Sequence, residues 1–227
     1  MILSSKRHLT KALLVCLVAI GLPSIALADI DPRDRDRLQA CITKIESAPL
    51  EAYEDGLVWR SQSGGIFAEQ CLALARIANG DVAAGAARLA ALASAPDAGD
   101  AGQRTLLLAK AANAWLMIEE YDPALRALNA ALVLKPAEVD LLIDRARSFA
   151  GLSQWSKAQD DLTLALSKRP NDVLIFRLRA ETYLQQKNYA AADQDVAEAL
   201  RQSPRDIDNY VMRGRVLEAR RLGRAPE

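Results

Sequence analysis

Histidine is almost missing from this 227-residue chain, whose single copy is His8. Without it, everything downstream lacks the usual general base near neutral pH, the Ser–His and Cys–His pairs, and every His-containing metal site. Cysteine is scarce too, at Cys16, Cys41 and Cys71, and no Cys-x-x-Cys spacing lowers a thiol pKa. No run of apolar residues is long enough to span a bilayer core: the longest, Ala12 to Leu22, is 11 residues, against about 20 needed. No phosphate-cradling loop is present, since Ser63-Gly64-Gly65 lacks the P-loop pattern. The carboxylate pairs Glu119/Glu120 and Asp160/Asp161 are neighbours in sequence on helices or at helix ends. Such neighbours do not converge on one point, so they read as solvated surface. Asp193 and Asp195 form no Ca²⁺ loop, because the interval is helical and lacks a central glycine. Catalytic, metal-binding and cofactor-binding residues are therefore all expected to be none, and the chain reads as a non-enzyme. Aromatic residues are few as well, at 5%, and Gly and Pro fall mostly at turns, whereas Ala and Leu abound. That composition favours an all-helical fold.

The N-terminus has its own logic. Lys6, Arg7 and Lys11 precede the apolar run, and Ala26-Leu27-Ala28 follows as a small-x-small cleavage site. This is the layout of a secretory signal peptide over residues 1–28, which predicts a periplasmic protein beginning near Asp29. The competing reading is an uncleaved membrane anchor. After Ala28 the chain carries 26 basic and 29 acidic residues, a net charge of −3 with no basic stripe. Nucleic acid is thereby an unexpected partner, and no membrane insertion is expected after signal removal. Cys41 and Cys71 would remain, and a cysteine pair in an exported protein reads as a disulfide. The alternative is two buried thiols.

What the chain has in quantity is an interval. Pro136, Pro170 and Pro204 stand 34 residues apart. So do Ala112, Ala146 and Ala180; Trp115, Phe149 and Tyr183; Tyr121, Trp155 and Tyr189; Ala124, Ala158 and Ala192; and Ala131, Ala165 and Ala199. A fixed period of this length means stacked helical hairpins. The small residues let helix axes approach, the aromatic residues fill the gaps and clamp the turns, and the prolines stop each second helix. The predicted fold is all-α, a right-handed α-solenoid of stacked antiparallel hairpins. Three clear copies run over 105–206. A degenerate copy with a linker occupies 66–104, with a helix expected over 82–95, the linker over 97–102, Ala73 in place of Ala112 and Leu89 and Leu92 on the buried face. Residues 29–65 form helices of unassigned repeat status, the first opened by Asp31-Pro32 and the second by Pro49. Gly214 continues the series after Ala180, so 207–227 should supply a C-terminal capping helix.

Small-x-x-aromatic at Ala112/Trp115, Ala146/Phe149 and Ala180/Tyr183, aromatic-x-x-Ala at Tyr121/Ala124, Trp155/Ala158 and Tyr189/Ala192, and the closing prolines together resemble the tetratricopeptide repeat family. The resemblance covers Ile66 to about Arg221. It implies a scaffold that binds a protein or peptide on its concave face, with roles such as cell-envelope assembly. Counting from the small residue of each first helix, the concave face should present Asn113, Arg147, Glu181 and Arg215; Ala109, Ile143, Arg177 and Val211; and Leu106, Asp140, Leu174 and Asp208. Asn113, Arg147, Arg177, Glu181 and Arg215 are the candidate peptide-binding residues. Arg147 and Arg177 suit a carboxylate; the other possibility is that the arginines pair with Asp140, Glu181 and Asp208. Family members that grip a C-terminal carboxylate use a Lys/Asn set, of which only Asn113 matches. A second function class is a structural oligomer stacking end to end through its terminal helices. The oligomeric state is unset by the sequence.

Overall fold

The computed structural model describes residues 32–223. The signal-peptide reading of 1–28 and the capping role expected of Asp31 lie outside them. The described residues form eleven helices: α1 Pro32–Ile45, α2 Pro49–Ser61, α3 Gly65–Ala78, α4 Val82–Leu92, α5 Ala101–Met117, α6 Tyr121–Leu134, α7 Val139–Gly151, α8 Trp155–Lys168, α9 Val173–Gln185, α10 Tyr189–Gln202 and α11 Ile207–Leu222. Each packs against the next, and the first helices of successive hairpins also touch, α5 with α7, α7 with α9 and α9 with α11. This is an all-helical solenoid of stacked antiparallel hairpins.

The repeated small residues act as spacers. Ala112, Ala146 and Ala180, then Ala124, Ala158 and Ala192, then Ala131, Ala165 and Ala199 are all buried, none more than 1% exposed. Each lies where two helix axes come close, and a larger side chain there would push them apart. Trp115 and Phe149 pack at the edge of the main apolar core, which runs from α3 to α9; Tyr183 and Tyr189 pack on a second cluster shared by α9, α10 and α11. Gly85 shows how tight the first hairpin of the periodic region is: a Cβ there would stand 2.6 Å from the Ala73 carbonyl oxygen.

The turns inside the hairpins repeat as faithfully as the helices. Glu119, Ser153 and Lys187 each adopt a left-handed backbone, with φ of 60°, 56° and 60°. The next residue in each case donates its N–H back across the helix end, Glu120 to Trp115, Gln154 to Phe149 and Asn188 to Tyr183, at 2.8–3.0 Å. This bond satisfies a carbonyl that the helix leaves free. In the degenerate copy, Gly80 at φ 93° takes the same place, and Asp81 donates to Arg76.

Two boundaries differ from expectation. The segment 97–102, read as linker, contains a helix start. Asp100 accepts from the Gln103 N–H at 2.8 Å while the Gln103 side chain accepts from the Asp100 N–H at 2.9 Å. This reciprocal box begins α5 at Ala101 and extends it beyond the expected Thr105. Arg104 then fastens the connection, donating to the carbonyls of Ala93, Ala95 and Gly99. The fourth helix ends at Leu92, ahead of the expected Ala95.

Pro32–Ser61, which the periodicity leaves unassigned, folds as one more hairpin at the head of the stack, α1 and α2 both packing on α3. Its spacers have drifted: Ala52 and Gly56 are buried where α2 meets α3, and Trp59 joins Ala68 and Cys71 in a small core. Cys41 on α1 and Cys71 on α3 stand with Cα atoms 6.0 Å apart and sulfurs at bonding distance.

Candidate functional site

The first helices α5, α7, α9 and α11 place the candidate residues. At the six-before position, Leu106, Asp140, Leu174 and Asp208 are all exposed, as a groove face requires. Ile143 is not: it is 5% exposed and belongs to the main core together with Leu141 and Leu142 of the same helix.

Four of the five candidate residues come together. Arg147 and Glu181 line a cavity of about 140 Å³ between α7, α8 and α9. Glu181, Arg177 and Arg215 line a second, of about 280 Å³, between α9 and α11. Glu181 is common to both, so the two form one stretch of groove with charges alternating Arg147, Glu181, Arg215 at one repeat position. Asn113 is exposed on α5, lines neither cavity and has no hydrogen-bond partner among the described residues.

The charges are already engaged. Arg215 grips both Glu181 oxygens, one at 2.9 Å, across an interval of 34 residues, and the Gln185 amide donates to the same carboxylate at 2.9 Å. Arg177 reaches Asp206 at 2.7 Å and Asp208 at 3.2 Å. Arg147 has only Asp144 on its own helix, at 3.3 Å, and its side chain remains 52% exposed. Arg147 and Arg177 therefore do not share one carboxylate. Asp140 pairs with Arg169, at 2.7 Å, rather than with a groove arginine. That hydrogen bond holds the Asp140 carboxyl below its ordinary pKa, whereas burial pushes Asp144 up despite Arg147.

The periodicity conceals a second set of charges. Arg145 on α7 grips Asp161 on α8 through two bonds of 2.7 Å and reaches Asn129 on α6 at 3.0 Å. Thirty-four residues on, Arg179 grips Asp195 at 2.8 and 2.7 Å and reaches Thr163 at 3.3 Å. Each guanidinium also lies near the ring one turn along, Phe149 at 5.8 Å and Tyr183 at 5.7 Å. Asp161 and Asp195 are thus buried acceptors and not solvated surface. Asp160 and Asp161 are adjacent in sequence, but a helix turns adjacent residues to different faces, and only Asp161 points inward. The pairs Arg145/Arg179 and Asp161/Asp195 carry the signal that finds them, the same interval as the alanines. They tie three helices together and belong to the framework, not the groove.

Among the described residues, no group of three or more His, Cys, Asp and Glu is placed to hold a metal ion, and no helix is long and apolar enough to cross a membrane.

No family model matches the chain, and no curated protein matches it. Solved structures do. MamA from Desulfovibrio magneticus RS-1 superposes with a TM-score of 0.64 at 15% identity, covering 76% of this chain and 94% of that one. A MamA of AMB-1 gives 0.59 at 19% identity, covering 78% and 95%. A thermophilic TPR protein of Thermus thermophilus gives 0.56 at 21% identity, covering 81% and 98%. With its period of 34 residues, its spacer alanines and its stacked hairpins, this chain has the tetratricopeptide-repeat fold.

Proposed function

We propose that this protein is an exported, periplasmic adaptor that binds a protein or peptide in the groove of α7, α9 and α11, in the assembly of a cell-envelope complex. One observation carries the reading. The repeated positions are consumed by packing, while the groove positions differ from helix to helix and line two cavities that share Glu181, with alternating charge. Arg147 is the group in it least committed to an internal partner, with a single contact at 3.3 Å. An acidic side chain of a bound segment fits there, beside the apolar floor of Ala146, Ala150 and Leu178. A charge-assisted bond to a guanidinium contributes about 1.5–3 kcal/mol. Export is supported by the charged start, apolar run and small-x-small end of residues 1–28, and by the Cys41–Cys71 geometry, which we assign to a disulfide.

Affinity capture from an envelope fraction tests it. Arg147→Ala should reduce recovery of the partner without changing the fold, and unchanged recovery counts against the groove. Reversal of Arg177 is a poorer test, because a carboxylate there would face Asp206 and Asp208 and loosen α11.

A second reading rests on α11 itself. Ile207, Tyr210, Val211, Leu217 and Leu222 are 45–75% exposed on that one helix. Such a face suits end-to-end stacking of copies. A molecular mass that stays monomeric over a wide concentration range would dispose of it.

A further inference from the structure

Away from the charged groove, the head of the stack holds a cavity of about 290 Å³ between α1, α3 and α5. Its walls are largely apolar, with Leu38 and Ile42 from α1, Phe67 from α3 and Leu106 from α5. Two polar groups on these walls have no protein partner among the described residues. Gln70 is only 8% exposed, yet its amide makes no hydrogen bond. Lys110 makes neither a hydrogen bond nor an ion pair, and burial alone pulls its pKa down from the ordinary lysine value. Asp97 lines the same cavity without pairing with Lys110, and the Gln103 side chain is committed to the start of α5.

The Lys110 ammonium is partly buried without a counter-charge, and the amide of the largely buried Gln70 side chain has no protein partner. They sit together on one apolar cavity, which makes them donors waiting for an acceptor. We propose that this cavity is a binding site for a small apolar carboxylic acid. The carboxylate accepts from the Lys110 ammonium and the Gln70 amide, and the hydrocarbon body covers Leu38, Ile42, Phe67 and Leu106. The size argues for a small ligand, since pockets for larger organic molecules run to about 300–1,000 Å³. An extended peptide is less suited, because its backbone N–H and C=O groups would meet apolar walls. The site goes beyond the groove reading and stands apart from it.

Octanoate and octanamide are the probes, titrated calorimetrically into the purified protein. Octanoate should bind roughly tenfold or more tightly than the amide, which offers the same chain without the charge. Lys110→Gln should erase that preference, whereas Arg147→Ala should leave octanoate binding unchanged and so separate this site from the groove. Equal affinity for acid and amide, or no binding of octanoate at millimolar concentration, overturns the proposal without requiring any variant to fold. Displacement of octanoate by a peptide with an apolar C-terminal residue that binds more tightly than the free acid overturns the small-acid assignment.

Discussion

Asp195→Leu should be among the most damaging single changes in the chain. The carboxylate accepts two bonds from Arg179, at 2.8 and 2.7 Å. Side-chain exposure is 16% for Arg179 and 7% for Asp195, so neither charge has water as a ready substitute. The hydrogen bonding of Arg179 to the Asp195 carboxylate is the main reason that the Arg179 pKa rises above its ordinary value. Removing one partner of such a pair strands the other, at a cost of about 3–5 kcal/mol. Replacing both with apolar residues of similar size removes the stranded charge and should recover most of that loss. The first clear repeat already shows the apolar solution: Ala111 and Ala127, 34 residues before Arg145 and Asp161, are both buried. Urea unfolding at neutral pH of wild type, Asp195→Leu, Arg179→Met and the double variant reads the four corners of the cycle. The expected signature is two large single losses and a much smaller double loss. Single losses under about 1 kcal/mol, with no coupling, would mean that the pair behaves like an exposed surface bridge and would refute the buried-framework reasoning.

Replacing Cys41 and Cys71 with serine removes the disulfide that we assign across an interval of 30 residues, which should cost about 3–4 kcal/mol in the chain-entropy account; a midpoint insensitive to both the substitution and a reductant would show that no bond forms. Ser153→Gly and Lys187→Gly should each stabilise by about 1 kcal/mol, because glycine relieves the left-handed backbone penalty that Gly80 already escapes; thermal unfolding would show the gain, and a fall in midpoint would contradict it. Lys110→Met should raise the melting temperature at neutral pH. The folded-state pKa of Lys110 lies below the ordinary 10.5, so burial of the charge penalises the fold fully below that depressed value. The penalty fades as pH climbs from there towards the ordinary value, and the advantage of Lys110→Met should shrink in the same window. Melting curves from pH 7 upward check the sign.

The stacked-hairpin fold is legible in the sequence because close packing makes strict demands. A spacer between two helices tolerates little beyond Ala or Gly, so Ala112, Ala146 and Ala180 recur in register and advertise themselves. The α1–α2 hairpin is not legible by the same means. Gly56 and Trp59 keep the small-x-x-aromatic spacing, and after Ser63 at φ 65° the Gly64 N–H returns to the Trp59 carbonyl as in the later turns, but these residues stand off the 34-residue register that reveals the later copies. Arg145 and Arg179 are legible in principle, being as periodic as the alanines, but a charged side chain on a helix reads first as solvated, and only two copies of the interval carry this one. The Lys110 cavity lies beyond the sequence. Leu38, Gln70 and Lys110 belong to three different helices, and the connection from α4 to α5 breaks the register between them.

The groove shows why recognition and stability are hard to separate in this fold. The candidate arginines had two possible roles, to greet a ligand or to pair internally, and the structure divides them. Arg215 closes on Glu181 and Arg177 on Asp206, both pairs joining α9 to the last helix of the stack or to its cap. Asp206 also accepts the Asp208 N–H at 3.0 Å through its side chain and so caps α11. Pulling Arg177 away for a ligand would therefore unbalance the start of the helix that forms one wall of the same cavity. Each such pair is worth little while water-exposed, but a ligand must replace it as well as displace it. Arg147 carries no such obligation. Its partner Asp144 is on its own helix, and burial pushes the Asp144 carboxyl towards the neutral form. Losing Arg147 to a ligand breaks no contact between helices. On the adaptor reading we propose, selectivity for acidic partners concentrates at α7, and α9 and α11 form a charged but largely satisfied wall.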